Sequence, residues 1–223
     1  AFLASKACFS FLALANVRSF DDLLEVLQNT PYAKVIMHFR PAADGKIDYT
    51  RCEVALRSYY YTHLEQLIDR YFRGRVKRQL HEITQTHIDL INVTTIYRLK
   101  RFFPHVDGEF IRSALLPAWK RIPEKELDKL IEAPDADSFI QLLSRSPYAS
   151  YLGSEDFLFI EYHTESIRYH LNKRYLRFAV DAPTAITAYM VLSEIELNNI
   201  ITIVEGVRYE LPPEEIEKML IFH

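Results

Sequence analysis

Glycine is scarce. The 223-residue sequence holds five, at Gly45, Gly74, Gly108, Gly153 and Gly206, where average usage of about 7% would give roughly 16. No two lie within 25 residues of each other. That spacing excludes G-x-G-x-x-G, the G-x-x-x-x-G-K phosphate loop and the G-x-S-x-G nucleophile elbow, each of which needs paired glycines for a sharp turn or close backbone approach. The chain is therefore not a P-loop nucleotidase, a standard Rossmann dehydrogenase or an α/β-hydrolase. Few glycines also mean few hairpin turns, which counts against a β-rich fold.

Cysteine is scarce too. Cys8 and Cys52 are too few for a Cys-rich zinc site or a disulfide framework, and they read as reduced core thiols. The eight histidines include no H-E-x-x-H and no pair spaced i, i+4, so no two imidazoles share a helix face as zinc ligands do. Glu161, His163 and Glu165 alternate along the chain, a spacing that splits them around a helix and reads as a solvated face. His87 reads as a satisfied histidine on an apolar stripe. No charge sign dominates: 27 Lys+Arg stand against 30 Asp+Glu, a formal net charge of -3, which gives no global pull toward nucleic acid or anionic lipid. The opening AFLASKACFSFLALANV imitates a secretory leader. However, it lacks an initiator Met and a basic start, Lys6 interrupts it, and it is short for a membrane span. It reads as a buried first helix.

What is present is helical periodicity. Leu56, Tyr60, Leu64, Leu67 and Tyr71 step by three or four, and after Gly74 a second stripe runs Val76, Leu80, Ile83, His87, Leu90, Thr94, Tyr97. Ser19 with Asp22 forms a capping-box pair. Thr30-Pro31, Ser146-Pro147 and Asp181-Ala182-Pro183 each place a capping side chain just before a helical Pro. The fold class is all-α, with a loop expected over 40–46.

The sequence also resembles itself. Ser19–Ala33 (SFDDLLEVLQNTPYA) aligns without gaps on Asp135–Ala149 (DADSFIQLLSRSPYA), an offset of 116, and Asp89–Phe102 (DLINVTTIYRLKRF) aligns on Glu196–Tyr209 (ELNNIITIVEGVRY), an offset of 107. A third echo pairs Ile122–Leu130 with Leu211–Met219. Two related multi-helix lobes follow: residues 1–103, a linker over 104–121, and residues 122–223. The pairs Asp89/Asn92 and Glu196/Asn199 sit at i, i+3, so each shares a helix face. They read as buried links between neighbouring helices, with no second acid nearby for catalysis. Basic clusters at Arg70–Arg78, Arg98–Arg101 and Arg168–Arg177 carry no nucleic-acid motif and read as solvated faces or a surface for an acidic protein partner.

The tail Arg174–Leu220, with E-x-E-x-N-N-I-x-x-I-x-E-G-x-R-Y followed by L-P-x-E-x-I, resembles the central-axis connector of V/A-type rotary ATPases, lettered C in archaeal and bacterial enzymes and d in vacuolar ones. Leu12–Tyr32 is similar to that family's first repeat. The resemblance implies a funnel-like, all-helical, non-catalytic rotor subunit on the cytoplasmic face of the membrane. It would hold the central shaft on the membrane rotor ring and transmit torque for proton or sodium transport. No cofactor, metal, nucleotide or nucleic acid is implied. Family members carry three such lobes, and this sequence shows two. Within this reading Arg101, Arg208 and Glu205 are the expected partner contacts. The alternative is a two-lobe helical scaffold for another protein or nucleic acid.

Overall fold

A computed structural model describes residues 10–41, 45, 47–103, 105–116, 121–146, 148–149 and 160–222. Among them every regular element is helical, as the glycine count and apolar periodicity require. The chain divides into two compact units, Ala1–His63 and Leu64–His223.

The first unit contains α1 (Phe11–Ala15), α2 (Phe20–Leu27), α3 (Pro31–Met37) and the start of α4 (Tyr49–Tyr71). Its core is Leu27, Ala33 and Ile36, with Leu14, Phe20, Leu23, Leu24 and Leu56 packed against them. The capping box at α2 forms as expected: Ser19 Oγ accepts from the Asp22 N–H, and the Asp22 carboxylate accepts from the Ser19 N–H, both at 3.1 Å. Thr30 differs. Pro31 starts α3, but the Thr30 hydroxyl turns back and donates to the Leu27 carbonyl at 2.8 Å instead of capping. The first helix is not buried as a whole. Its described part is one short turn of helix, so only one side can face inward; Leu14 does, while Phe11 and Leu12 are exposed. Cys52 is half-buried rather than a core thiol, and Cys8 lies outside the described residues. The described residues between α3 and α4 are not helical.

The second unit holds the end of α4 and α5 (Gly74–Phe102), α6 (Gly108–Ser113), α7 (Glu124–Glu132), α8 (Ala136–Leu143), α9 (Ile160–Phe178), α10 (Ala182–Arg208) and α11 (Pro213–Lys218). Gly74, at φ +59°, takes a left-handed conformation open to glycine at no steric cost, and so breaks α4 from α5. His81 then ties the two together, its ring nitrogens lying 2.7 Å from Glu65 and 2.8 Å from Asp69.

Three long helices form the frame. α9 runs antiparallel to α5, since Arg98 meets Glu161, Thr94 meets Thr164 and Glu82 meets Tyr175. α10 returns antiparallel to α9, and therefore parallel to α5: Thr184 reaches Gln79, and Ala188 shares a core with Ile83, Leu171 and Tyr175. Arg168, buried on α9, joins Glu165 at 2.8 Å and Glu194 of α10 at 2.8 Å. One flank of α5 is sealed by α6, α7 and α8 in the main core, where Phe139 and Ile96 are wholly buried. The compact division therefore falls inside residues 1–103, because α5 buries its flanks on elements that follow it. Part of 104–121 is structured as α6.

Asparagines lock the segments that follow each long parallel helix. Asn92 Oδ1 accepts from the Leu116 N–H at 2.8 Å, and its Nδ2 donates to the Leu116 carbonyl at 3.1 Å. Asn199 does the same to Ile221, at 3.0 and 2.8 Å. These brackets pair α11 with α6, matching buried Ile216 to buried Ile111, rather than with Ile122–Leu130 as the sequence echo suggests. α11 sits so close to α10 that a Cβ on Gly206 would lie 2.7 Å from Ile216.

Asn92→Ala leaves two buried backbone groups unpaired, and should lower global stability by about 2–3 kcal/mol in thermal or urea unfolding. Asn199→Ala should speed amide exchange at Ile221, because the bracket that holds this segment to α10 is lost.

Candidate functional site

α5 and α10 carry the residues singled out in the sequence. On α5, Asp89 is buried and its Oδ2 gathers three donors: the N–H groups of Arg121 at 2.8 Å and Ile122 at 3.0 Å, and the Tyr148 hydroxyl at 3.0 Å. Burial pushes its carboxyl up to about 6, against the pull of those three bonds and of the nearby Arg121 guanidinium. The same surroundings push the Tyr148 hydroxyl well above the ordinary tyrosine range. Asp89 and Asn92 thus hold Leu116, Arg121 and Ile122 on either side of 117–120.

The second pair behaves differently. Asn199 brackets Ile221, but Glu196 is exposed and none of the described residues donates to it. At an offset of 107 residues, counterparts of Arg121, Ile122 and Tyr148 would fall at positions beyond 223.

Arg101, Glu205 and Arg208 are all exposed. Arg101 occupies the last turn of α5 and Arg208 the last turn of α10, where a cation complements the carbonyl end of the helix. Since α5 and α10 run parallel, the two arginines stand at the same end of the bundle. Glu205 and Arg208, three residues apart, share one face, and the Arg208 guanidinium lies 5.9 Å from the centre of the Tyr209 ring.

Much of the other basic charge is paired internally. Lys77 meets Asp69, Arg98 meets Glu161 and Arg174 meets Glu82, while Lys100 donates to the carbonyls of Ile131 and Ala133 at the end of α7. Glu161 and Glu165 are taken by Arg98 and Arg168. His87 is half-buried on α5. Among the described residues no cluster of His, Cys, Asp or Glu is placed to hold a metal ion, and no helix is long and apolar enough to cross a membrane.

Sequence reasoning missed that α10 is apolar on two opposite sides. Ala188, Ile195 and Gly206 face inward, while Ile186, Met190, Leu197, Ile200 and Val204 form an exposed stripe along nearly its whole length. A helix that is hydrophobic all round is normally covered all round. The signal lies in the steps from Ile186 to Met190, Leu197 and Val204. On the opposite, inward side of α10, a cavity of about 900 Å³ opens between α9, α10 and α11, lined in part by Tyr162, His163, Asn198, Thr202 and Met219.

These features define a class: an all-helical protein whose described elements pack around three long helices. Residues 6–219 match the family described as ATP synthase (C/AC39) subunit, and the chain belongs to that family. It is 24% identical over 220 residues to the C-subunit of the A-type ATP synthase of Thermococcus gammatolerans, covering 93% of this chain and 56% of the relative. The C-subunit of the Methanosphaera stadtmanae A-type ATP synthase gives 24% over 222 residues, again 93% and 56%. That of Archaeoglobus fulgidus gives 24% over 225 residues, 98% and 61%. The chain thus spans a little over half the length of these relatives.

The Asp89 carboxyl supplies a test of the linking pair. Its folded pKa, near 6, lies above the ordinary 3.8. Its contribution to stability is therefore full below about pH 4 and lost as pH rises to 6, by up to roughly 3 kcal/mol. Asp89→Asn should abolish that component, so the stability difference between wild type and variant should shrink from pH 4 to 6 and stay flat above. Urea unfolding across that range reads it directly.

Proposed function

We propose that this chain is a non-catalytic rotor subunit of a V/A-type ATPase, joining the central shaft to the membrane ring and transmitting torque for proton or sodium transport. The observation that carries the reading is the family match across nearly the whole chain, residues 6–219, together with relatives named as C-subunits of A-type ATP synthases. In this reading the sequence repeats 1–103 and 122–223, joined by 104–121, are two lobes of a funnel-like body. The protein works at the cytoplasmic face as a peripheral component, with no cofactor or nucleotide of its own.

The physics of the frame suits the task. A torque-bearing part needs stiffness, and antiparallel long helices cross-tied by buried charge supply it: severing one partner of such a tie strands the other charge. Exposed charge at the shared end of α5 and α10 suits a shaft that must be gripped by oriented polar contacts instead of an apolar socket. Arg101, Arg208 and Glu205 are assigned to that contact.

The test is to mix the purified chain with the shaft subunits of its own organism's rotary ATPase and follow complex formation by size exclusion with light scattering. A one-to-one complex is expected. Arg208→Glu should weaken it by about tenfold or more, a loss on the order of 1.4 kcal/mol, with far-UV circular dichroism unchanged. Absence of a complex, or binding indifferent to Arg208→Glu, would count against the assignment. Salt-sensitive RNA binding in its place would favour the scaffold alternative.

A further inference from the structure

One imidazole stands at the centre of the polar contacts that join the end of α4 to the start of α5. Lys77, His81 and Gln85 step by four along α5 and so share a face, as Glu65 and Asp69 do on α4. His81 Nδ1 lies 2.7 Å from Glu65 Oε2, and its Nε2 lies 2.8 Å from Asp69 Oδ1. Lys77 Nζ stands 2.9 Å from that same Asp69 oxygen, and Gln85 Nε2 donates to that same Glu65 oxygen at 3.2 Å. The His81 and Glu65 side chains are only 17% and 14% exposed, whereas that of Asp69 is 57% exposed.

This geometry counts protons. A neutral imidazole has one N–H and one lone pair, so it donates to one carboxylate and turns its lone pair on the other. Ionised carboxylates at hydrogen-bond distance from both nitrogens require the doubly protonated ring. Asp69 is ionised: the Lys77 ammonium, and then the ring, hold its carboxyl below the ordinary range. Glu65 Oε2 already accepts from Gln85, while Glu65 Oε1 is buried without a hydrogen-bond partner among the described residues. The charge of the ring is what offsets that enclosed carboxylate. Other charges nearby are engaged elsewhere. Arg73, between the helices, donates to the carbonyls of Asp69, Arg70 and Phe72. Arg70 lies over the ring of Tyr71, and Arg78 is exposed. On the adjoining flank of α5, Glu82 is met by Tyr175 and Arg174 of α9 and by Arg121, and Asp181 at the start of α10 is drawn to Arg75.

We propose that His81 is a proton-operated latch on the end of α4: doubly protonated, it ties α4 to α5 through Glu65 and Asp69, and when it loses a proton the Asp69 tie opens. The two ties are unequal, and that fixes which one goes. The neutral ring keeps the proton on Nδ1, because Glu65 is enclosed and the ring is the hydrogen-bond donor that faces its charge. Asp69 is exposed and retains Lys77, so it gives up the ring at lower cost. The Nε2 lone pair then faces a carboxylate and repels it. The latch is closed at low pH, while the ring holds both protons, and opens as pH rises and one leaves. The chain passes from its first compact unit to its second within this same helix, between His63 and Leu64. The latch thus sets how firmly the helix common to both units ends on α5. This goes beyond the rotor reading and does not depend on it.

The experiment follows two nuclear magnetic resonance signals of the full chain between about pH 5 and about pH 9. The first is the pair of His81 ring nitrogens, identified by their loss in His81→Gln. The second is exchange of the Phe72 amide, which donates to the Ile68 carbonyl at 3.0 Å across the last turn of α4. Corrected for the intrinsic effect of pH, that exchange should quicken by about fivefold or more as the ring loses its proton. The neutral ring should carry its remaining proton on Nδ1. Asp69→Asn, at an exposed position, offers the ring a neutral amide that can donate or accept, so the step should vanish with far-UV circular dichroism unchanged. Phe72 exchange that ignores the titration of the ring overturns the proposal. So does a neutral ring protonated on Nε2, a step that survives Asp69→Asn, or a ring that keeps both protons to about pH 9. None of these outcomes touches the assignment of Arg101, Glu205 and Arg208 to the shaft.

Discussion

The packing of the second unit depends on one buried carboxylate. Asp89 sits among apolar side chains on α5, where an isolated charge would be expensive, and it is tolerated because three donors converge on a single oxygen. Two of those donors are backbone amides of the segment entering α7, and the third belongs to Tyr148, beyond the end of α8. With Asn92 holding Leu116 one turn further along, the polar pair fixes where α6 leaves α5 and where α7 and α8 return. Apolar burial then supplies the bulk of the stabilisation, but it does not by itself dictate register. A polar group that is costly to leave unpaired does so, because slipped arrangements strand it.

The same device recurs half-finished at α10. Asn199 brackets Ile221 with the geometry that Asn92 uses on Leu116, which shows that the repeat is one of interactions as well as of sequence. Glu196 and the stripe beside it show what the same register looks like uncovered. The comparison explains why α10 is apolar on two sides: its inner side packs on α9 and α11, and its outer side repeats the flank that α5 buries. Exposure there follows from the repeat logic, not from a departure from it.

Local features are legible because their partners are close in sequence. The capping box at Ser19 and Asp22, the cap at Asp181 and the stripes of α4 and α5 involve residues three to seven positions apart, and periodicity alone finds them. Thr30 departs from expectation because a hydroxyl before proline can satisfy the preceding turn as easily as the next helix. The role of Asn92 is legible through repetition, but its bond partner is not. Leu116 lies 24 residues away and the donors to Asp89 lie 32, 33 and 59 away, beyond the reach of any helical period. Basic clusters are visible as clusters, yet their pairing with Glu161, Glu82 and Asp69 requires knowing which helices meet. The echo of Ile122–Leu130 in Leu211–Met219 misleads for a related reason: proline followed by acidic residues marks many helix starts, whereas the asparagine brackets identify α6 as the true counterpart of α11.

The mechanical role proposed for the chain would draw on this frame. Catalysis asks for convergent groups in a cleft, set at separated pKa values. Here the strongly shifted groups, Asp89 and Tyr148, hydrogen-bond to each other, and their environment serves to hold segments in register. Exposed charge stands at the end where α5 and α10 finish together. Force applied at that end would pass down two parallel helices that are each locked to α9 by ion pairs and by shared core. Bending one helix therefore requires breaking polar ties, of which only Arg168 is buried, as well as sliding apolar contacts. The division of labour is physical: polar groups inside set the register, while charged groups stand exposed at the end where α5 and α10 finish.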